Sequence, residues 1–381
     1  MVRSPTLEVA VVGDGPAGSA LARELTDRGL RVALYGNDQP WVATYTSWVD
    51  DLDGVAALDG ADVWLWRFAA VDAHFEQPIT IDRSYGVLDN EALRSVLRRG
   101  VDHRMASVGS SNELDAHIVV DATGWPSGLD RSGDGRLGRD AVAWQTALGA
   151  VRAEPPAGTL GRPTVMDFSA PPGGAQLRDV GVPTFAYAFP VADGWLVEET
   201  VLAGPRLDPE VLLPRLALRL GESVESLLGR AARRERGRIP MGAPIPARPE
   251  PGVPVVVRYG AAAGMIHTTT GYSVAASLRA AERVGAAVAQ QLDRGSPDAR
   301  ALADAVWPRS LRRTRRLHDY GLGVLLHMDD DDIRRFFQEF FELPTERWAA
   351  YLRVDTPPAE LAGVMTAMFR RADWALRRRL V

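Results

Sequence analysis

The sequence predicts an α/β protein built on a Rossmann-like, dinucleotide-binding domain, with an inserted β-sheet lobe and a helical C-terminal region. Three observations carry this prediction. An apolar strand near the N-terminus runs directly into a Gly-x-Gly-x-x-Gly turn at residues 13–18. Residues 141–238 change to alternating, strand-like runs, which predict a sheet. Residues 303–381 have a helical pattern and are rich in arginine.

The first unit of this domain is predicted as a strand, a glycine turn, a helix at residues 17–27 and a second strand at residues 31–35. Such a turn lets the backbone approach a pyrophosphate at the N-terminus of the following helix. Gly13, Gly15 and Gly18 are therefore candidate cofactor-binding residues. The alternative is a glycine-rich turn that holds no ligand.

The ribose of a bound dinucleotide is usually recognised by an acidic residue at the end of the second strand. Gly36 stands at that place in this chain, and Asp38 follows two residues later. We therefore expect Asp38 to bind the ribose instead.

Two later segments predict further contacts with the cofactor. An apolar run ends in Asp121 and Gly124, a pattern typical of the strand at which flavin-binding proteins return to the cofactor domain. A second glycine-bearing turn then precedes a helix at residues 273–292, as a flavin pyrophosphate or ribityl chain requires. The candidate cofactor residues of this turn are Gly260, Gly264, Met265 and His267, and a packed histidine is the alternative for His267.

Composition excludes several classes of chemistry for this chain of 381 residues. The hydrophobic content of 46% and the charged content of 24% are those of a globular protein. Cysteine is absent, which excludes disulfides, thiolate nucleophiles and iron–sulfur clusters. All 44 basic residues are arginines, which excludes Schiff-base chemistry on lysine. The net charge of −5 gives no indication of a nucleic-acid partner, and the histidine spacing predicts no metal site.

Four motifs add a more specific indication. They are the glycine turn, Trp48-Val-Asp50, Tyr85-Gly86 and a block from Pro183 onward, which contains Leu196-Val-Glu-Glu-Thr200 and Gly264-Met-Ile-His-Thr-Thr-Thr-Gly-Tyr272. In their order and spacing these motifs resemble the flavoprotein lycopene cyclases of the plant and bacterial β-cyclase type, over residues 8–350. The two segments of the block, the one with Glu198-Glu199-Thr200 and the one from His267 to Tyr272, are the most restrictive.

The sequence also departs from the family's pattern. Leu196 and Val197 stand where the family has Phe-Leu, and Ser169 stands where an arginine is usual. Gly36 replaces the usual ribose carboxylate. These departures do not change the expected reaction class. They widen the set of expected substrates to lycopene or a related linear polyene or polyprenyl chain.

The resemblance implies an isomerase that uses FAD in its reduced form, with NADPH as the electron source. It also implies cyclisation of linear carotenoid ends with no net redox change.

The expected organisation is a first part of the FAD-binding domain at residues 1–140, a substrate-binding sheet lobe at 141–238, a return to the FAD-binding domain at 239–300, and a helical region at 301–381 that is a candidate to face a membrane. We expect substrate contacts at Trp48, Asp50, Tyr187 and Tyr272, although a core tryptophan and a turn aspartate are an equal alternative for the first two.

Glu198 and Glu199 fit the chemistry of such a cyclisation. Protonating an isolated alkene requires a strong, desolvated acid, and the resulting tertiary cation requires a nearby negative charge. Adjacent residues of a strand point to opposite faces, so one glutamate is expected to face the substrate and to donate the proton. An apolar pocket would raise its pKa. Without the resemblance, an exposed pair of strand carboxylates is the more common situation.

The C-terminal segment predicts an amphipathic helix at residues 360–381, with arginines around its apolar stripe and Phe369 and Trp374 interleaved. Such a helix can lie in a membrane interface, and the alternative is a helix packed on the domain.

We expect a cytoplasmic protein with a candidate peripheral membrane contact, because the first strand begins within nine residues of Met1 and no run of about 18 apolar residues occurs. The apolar stripe consists of Leu361, Val364, Met365, Met368, Ala372 and Leu376, and a separate cluster of Phe336, Phe337, Phe340 and Phe341 either lines an entry to the site or fills core.

Two rival functions remain open at the level of the sequence. The first is a flavin monooxygenase or polyprenyl reductase on the same fold. Such enzymes usually carry an aspartate after the glycine of the late strand, whereas three alanines follow Gly260 here. The second is a non-catalytic flavin-binding protein, which would bind FAD without turnover of any carotenoid.

Overall fold

The computed structural model describes residues 6–129, 141–156, 162–169, 181–247, 252 and 254–380. The strands in this part of the chain are β1 (Leu7–Val12), β2 (Val32–Gly36), β3 (Thr46–Trp48), β4 (Trp64–Phe68), β5 (Val71–His74), β6 (Pro78–Ile81), β7 (Tyr85–Leu88), β8 (Asp102–Met105), β9 (Ala116–Asp121), β10 (Ala143–Arg152), β11 (Thr164–Asp167), β12 (Thr184–Val191), β13 (Gly194–Val201), β14 (Arg233–Met241) and β15 (Val255–Arg258). The helices are α1 (Pro16–Asp27), α2 (Asn90–Leu97), α3 (Leu213–Arg219), α4 (Val224–Arg230), α5 (Val274–Asp293), α6 (Ala299–Val306), α7 (Arg309–Leu325), α8 (Asp330–Phe341), α9 (Thr345–Tyr351), α10 (Pro358–Arg371) and α11 (Trp374–Arg379).

A five-stranded parallel sheet forms the cofactor-binding part of the fold. Its strand order is β15–β9–β1–β2–β8, and every neighbouring pair is parallel. The three inner strands are rich in valine and leucine because both faces of the sheet are covered, α1 and α5 packing on one of them. The predicted strand, glycine turn, helix and second strand are confirmed within one residue at each end.

A seven-stranded mixed sheet forms the lobe, in the order β14–β10–β13–β12–β11–β5–β6. β5 and β6 join it from residues 71–81, which precede the predicted lobe, and β14 runs beyond its predicted end. A small sheet of β3, β7 and β4 is formed by the chain between β2 and β8 of the parallel sheet.

The two faces of the seven-stranded sheet are covered differently. The register pairs Tyr187 with Glu198 and Ala186 with Glu199, so these pairs lie on opposite faces. The face of Glu199, hereafter the helix face, packs against α3 and α4 through Leu216 and Leu227. The face of Glu198, hereafter the cavity face, looks toward the small sheet and the C-terminal helices.

The C-terminal helices form one apolar core with the cavity face of the sheet. α10 and α11 turn their predicted apolar stripe inward, and this stripe therefore packs inside the protein rather than facing a bilayer. Phe369 and Trp374 remain 39% and 75% exposed. Among the described residues, none of the helices combines the length and hydropathy that crossing a bilayer requires. The buried members of the stripe are Leu361, Val364, Met368, Ala372 and Leu376.

Candidate functional site

The glycine turn between β1 and α1 has the geometry of a phosphate cradle. Gly13 has a φ of 106°, and a Cβ there would lie 2.3 Å from the Ala122 carbonyl oxygen. A Cβ on Gly18 would lie 1.9 Å from the Gly13 oxygen. A Cβ on Gly15 would meet nothing within 4 Å, so open space lies at the N-terminus of α1. This space fits an anionic pyrophosphate.

The turn after β9 contributes shape rather than a free carboxylate. Asp121 is 1% exposed, and its carboxylate accepts hydrogen bonds from the backbone N–H and hydroxyl of Thr123 and from the Ser127 hydroxyl. These bonds hold the turn that carries Gly124, where a Cβ would meet nothing within 4 Å. Asp121, predicted to bind the cofactor, is therefore already occupied within the protein.

The second glycine-bearing turn packs closely against α1. A Cβ on Gly260 would lie 2.5 Å from the Ala17 Cβ, and Gly264 ends this turn in the left-handed conformation with a φ of 72°. Met265 is 3% exposed and packs in the core under the parallel sheet. It was predicted to bind the cofactor, but its side chain faces that core because the turn directs it inward.

His267 fastens this turn to the C-terminal helices. Its Nε2 lies 2.9 Å from the Tyr351 carbonyl oxygen, and its ring lies 4.3 Å from the ring of His318. Burial lowers the pKa of His267 to about 4, so the imidazole is neutral near pH 7. It also borders the cavity described next, which makes it a positioning residue there.

A cavity of about 460 Å³, hereafter the central cavity, lies where the parallel sheet, the cavity face and the C-terminal helices meet. Trp48, Tyr187 and Tyr272, three of the predicted substrate-binding residues, line it. The Tyr272 hydroxyl lies 3.0 Å from that of Tyr85. Trp48 and Trp125 also belong to the cavity wall, and within the described residues their indole nitrogens are buried without a hydrogen-bond partner.

Asp50, the fourth predicted substrate residue, does not line the central cavity. Its carboxylate is bound by the guanidinium groups of Arg83, at 2.9 Å, and of Arg353, at 2.9 Å. The adjacent Asp51 lines the cavity and binds the same two arginines. The cluster joins the chain just after β3 to the chain just after α9.

The two glutamates of β13 have opposite environments. Glu198 faces the central cavity next to Tyr187, and burial raises its pKa to about 7 although the Thr200 hydroxyl donates to it at 2.9 Å. Glu199 is 0% exposed on the helix face, where its carboxylate lies 2.5 Å from Arg219 Nε and 3.5 Å from Arg215 Nε. The predicted opposite orientation is present, and Glu199, predicted as a second candidate acid, has no access to the cavity.

Two smaller spaces lie between the central cavity and α10. The first, hereafter the phenylalanine pocket, measures about 50 Å³ and shares Tyr187 and Tyr272 with the central cavity. The second, hereafter the outer groove, measures about 110 Å³ and includes Met365 and Phe369. All four phenylalanines of α8 line the phenylalanine pocket, and two of them, Phe336 and Phe340, also line the outer groove.

At the end of β2, the carboxylate of Asp38 is bound by Arg94 and Arg98 rather than left free for a ribose. Asp14, Asp38 and His103 place ligand-type atoms within 4.8 Å of one another. The two guanidinium groups already neutralise the carboxylates there, which disfavours a cation.

Sequence reasoning missed several residues of the cavity wall. Asp51 directly follows the Trp48 motif, and that adjacency was an available signal. Trp125 and Glu235 had no local signal, because their place in the wall depends on the turn after β9 and on the pairing of β14 with β10. Glu235 also raises the pKa of Glu198 through its charge.

The sequence matches known proteins over nearly its full length. The profile of a family described as lycopene cyclase protein matches residues 8–378. A Deinococcus radiodurans protein described as an uncharacterized carotenoid cyclase is 35% identical over 388 residues, covering 97% of this chain and 92% of that protein. A chloroplastic lycopene beta cyclase from an Oncidium hybrid cultivar is 32% identical over 404 residues, covering 98% of this chain and 83% of that protein.

Solved structures share the fold at low sequence identity. A geranylgeranyl bacteriochlorophyll reductase-like protein from Thermoplasma acidophilum has a TM-score of 0.66 at 14% identity, with 98% of this chain and 99% of that chain covered. A probable FAD-dependent monooxygenase from Pseudomonas aeruginosa has a TM-score of 0.56 at 16% identity, with 86% and 99% covered. The predicted Rossmann-like α/β fold of flavin-dependent enzymes is thereby confirmed.

Proposed function

The chain belongs to the lycopene cyclase family, and from this premise we propose that it cyclises an end group of lycopene or a related linear polyene by acid catalysis, without net redox change and with FAD as cofactor. The observation that carries the catalytic assignment is the position of Glu198. Its carboxyl group faces an aromatic cavity, has no cationic partner among the described residues, and has a pKa of about 7 because it is buried. It therefore holds a proton near neutral pH and can release it to a substrate.

The reaction follows from this single proton donor. Glu198 transfers its proton to the terminal double bond, which leaves a cation on the tertiary carbon. The neighbouring double bond attacks that carbon and closes the ring, and loss of a proton from the ring restores neutrality. One proton enters and one leaves, so the product is an isomer of the substrate.

The aromatic wall of the central cavity supports the cationic stage. Tyr187, which pairs with Glu198 across the sheet, lines the same cavity as Glu198, Tyr272 and Trp48. Aromatic rings attract a cation in a desolvated site by about 2 kcal/mol. The same rings exclude water, which would otherwise capture the cation.

The glycine turns would hold the cofactor. The backbone of residues 13–18 and the turn at 260–264 meet at the C-terminal edge of the parallel sheet, where dinucleotides bind in this fold. Reduced FAD, once bound, supplies negative charge beside the cation, and NADPH is the proposed source of its electrons.

A hydrophobic polyene also needs a way into the central cavity. Tyr187 lines the phenylalanine pocket, and Phe369 lines the outer groove. The two spaces have Phe336 and Phe340 as common wall residues, and the exposed Trp374 follows on α11. We assign this side of the molecule to peripheral contact with a membrane surface. Tryptophan and phenylalanine at a basic helical surface suit the bilayer interface.

The proposed function is tested with the purified protein, lycopene and FAD reduced under anaerobic conditions. The unaltered chain should yield a product of the same mass with a shifted absorption spectrum. Glu198→Gln should lower turnover by about 10²- to 10⁴-fold, because proton transfer is lost while the shape of the side chain is kept. Glu225→Gln, an exposed glutamate of α4, serves as the control and should leave turnover unchanged.

Four outcomes would contradict the proposal. Full activity of Glu198→Gln would remove the assigned acid. A product with added oxygen would support a monooxygenase, and a product with added hydrogen would support a polyprenyl reductase. FAD binding without turnover of any carotenoid would support the non-catalytic alternative.

A further inference from the structure

Asp14, inside the glycine turn, occupies the space that a side chain at the end of β2 would fill. A Cβ placed on Gly36 would lie 2.0 Å from Cγ and 2.3 Å from Oδ2 of Asp14. The backbone of Gly36 does not adopt a positive φ, so its conformation would permit a side chain. Glycine is required there because the carboxylate of Asp14 is already in place.

The contacts of Asp14 fix one carboxylate oxygen and leave the other. Oδ2 lies 3.0 Å from the backbone N–H of Asp38, 3.2 Å from Nε2 of His103 and 3.1 Å from Nη2 of Arg98. Within the described part of the chain, no donor contacts Oδ1. The carboxylate is thus held in one orientation with half of its acceptor capacity unused.

The alternative acceptor at this place is less suitable. Like Asp14, Asp38 has one carboxylate oxygen without a donor among the described residues, but two guanidinium groups, those of Arg94 and Arg98, already compensate its charge, and it lies two residues beyond the end of β2. Asp14 instead lies in the turn that faces the end of β2, where a dinucleotide places its ribose.

We propose that the carboxylate of Asp14 accepts hydrogen bonds from the hydroxyl groups of the adenosine ribose of FAD. It thereby takes the role of the acidic side chain that the chain lacks at Gly36. The carboxylate that would bind the ribose thus lies in the glycine turn instead of at the end of β2, and Arg98 and His103 orient it. This inference rests on the proposed use of FAD and concerns its adenosine half, which lies apart from the acid Glu198.

The test measures binding of FAD and of FMN, which lacks the adenosine, by flavin fluorescence. Asp14→Ala should raise the dissociation constant for FAD by about tenfold to a hundredfold, because a charged acceptor of one or two hydroxyl groups is lost. The dissociation constant for FMN should stay within about threefold of the unaltered value. Asp59→Asn, at an exposed aspartate before β4, is the control, and its affinity for FAD should stay within about threefold of the unaltered value.

An exchange variant provides the sharper arm. Asp14→Ala removes the side chain that blocks residue 36, so the double variant Asp14→Ala/Gly36→Glu should recover most of the affinity for FAD. Gly36→Glu alone should bind FAD more weakly than the double variant, because its side chain collides with Asp14. Gly36→Glu should thus weaken FAD binding in the unaltered chain and strengthen it in the Asp14→Ala variant. Two independent surface changes are not expected to show such a reversal.

Each outcome decides between distinct failures. If the unaltered chain binds no FAD, the cofactor proposal and this inference both fail. If the unaltered chain binds FAD and Asp14→Ala binds it equally well, only this inference fails. An equal loss of FAD and FMN affinity would also overturn it, since the effect would then not concern the ribose. If Asp14→Ala does not fold by circular dichroism, the isosteric Asp14→Asn is assessed by the same criteria.

Discussion

The two faces of the seven-stranded sheet show how one strand can carry the same residue type in two different chemical states. On the helix face, Glu199 is closed off from solvent and paired with Arg215 and Arg219. On the cavity face, Glu198 has a hydroxyl and aromatic rings around it and no arginine partner among the described residues. The difference between them is the presence of a compensating charge.

That difference separates stability from reactivity. A buried carboxylate with cationic partners stays ionised and holds structure together. A buried carboxylate without them retains its proton, because ionisation in an apolar cavity is costly. The sheet therefore places an arginine-paired carboxylate next to the proposed proton donor, and a change on one face should leave the other face unaffected.

The largest effect is expected on stability. Glu199→Gln leaves Arg215 and Arg219 buried without their anion, and should lower the free energy of unfolding by about 3–5 kcal/mol. Glu198→Gln replaces a carboxyl group that is largely protonated, and should cost less than about 1 kcal/mol. Urea unfolding followed by circular dichroism measures both. Equal losses for the two variants would show that the faces do not differ as described.

The pH dependence should report Glu198 alone. Because its pKa in the folded protein is raised from 4.5 to about 7, the folded state holds a proton that the unfolded state releases between these values. The stability that Glu198 contributes is thus complete below pH 4.5 and is lost as the pH rises through about 7. Turnover should fall about tenfold per pH unit above that point, because the acid form becomes rare.

Glu198→Gln provides the reference for this pH dependence. The difference in melting temperature between the unaltered chain and this variant should be more favourable to the unaltered chain at pH 4.5 than at pH 8. Glu199→Gln should keep the pH profile of turnover of the unaltered chain. A rate that does not change between pH 6 and pH 9 would contradict the assignment of Glu198.

The smallest effect is expected on α11, at the proposed membrane contact. Trp374→Ala should weaken binding to vesicles of phosphatidylcholine and phosphatidylglycerol by about threefold, because a 75% exposed indole is lost from the proposed contact surface. Met105→Ala, an apolar residue 78% exposed at the end of β8, is the control and should have no effect. Co-sedimentation gives both values. Identical binding of the Trp374 variant and the unaltered chain would remove α11 from the contact.

The sequence was sufficient where the signal is local. The glycine turn, α1 and β2 follow from periodicity and from residues a few positions apart. The opposite orientation of Glu198 and Glu199 follows from the two-residue repeat of a strand. Which of them faces the cavity depends on where α3 packs with its two arginines, and no local pattern contains that information.

The same limit explains the other differences. Met265 and Asp121 lie in motifs that indicate a cofactor, yet their side chains point into the core or into their own turn. The ribose-binding carboxylate that we propose at position 14, in place of one at position 36, depends on a contact between two residues 22 positions apart. β5 and β6 lie among tryptophans and acidic residues, where no clear alternation marks a strand.

The ion cluster of Asp51 with Arg353 has a consequence for the order of synthesis. Arg353 Nε lies 2.5 Å from Asp51 Oδ1, and the two residues are 302 positions apart. Leu352 and Arg353 also belong to the wall of the central cavity. A nascent chain therefore contains Glu198, the proposed acid, long before residues 352 and 353 complete the wall around it. If the proposed function holds, proton transfer to a polyene is expected only after this later segment has been synthesised and has packed against Asp51.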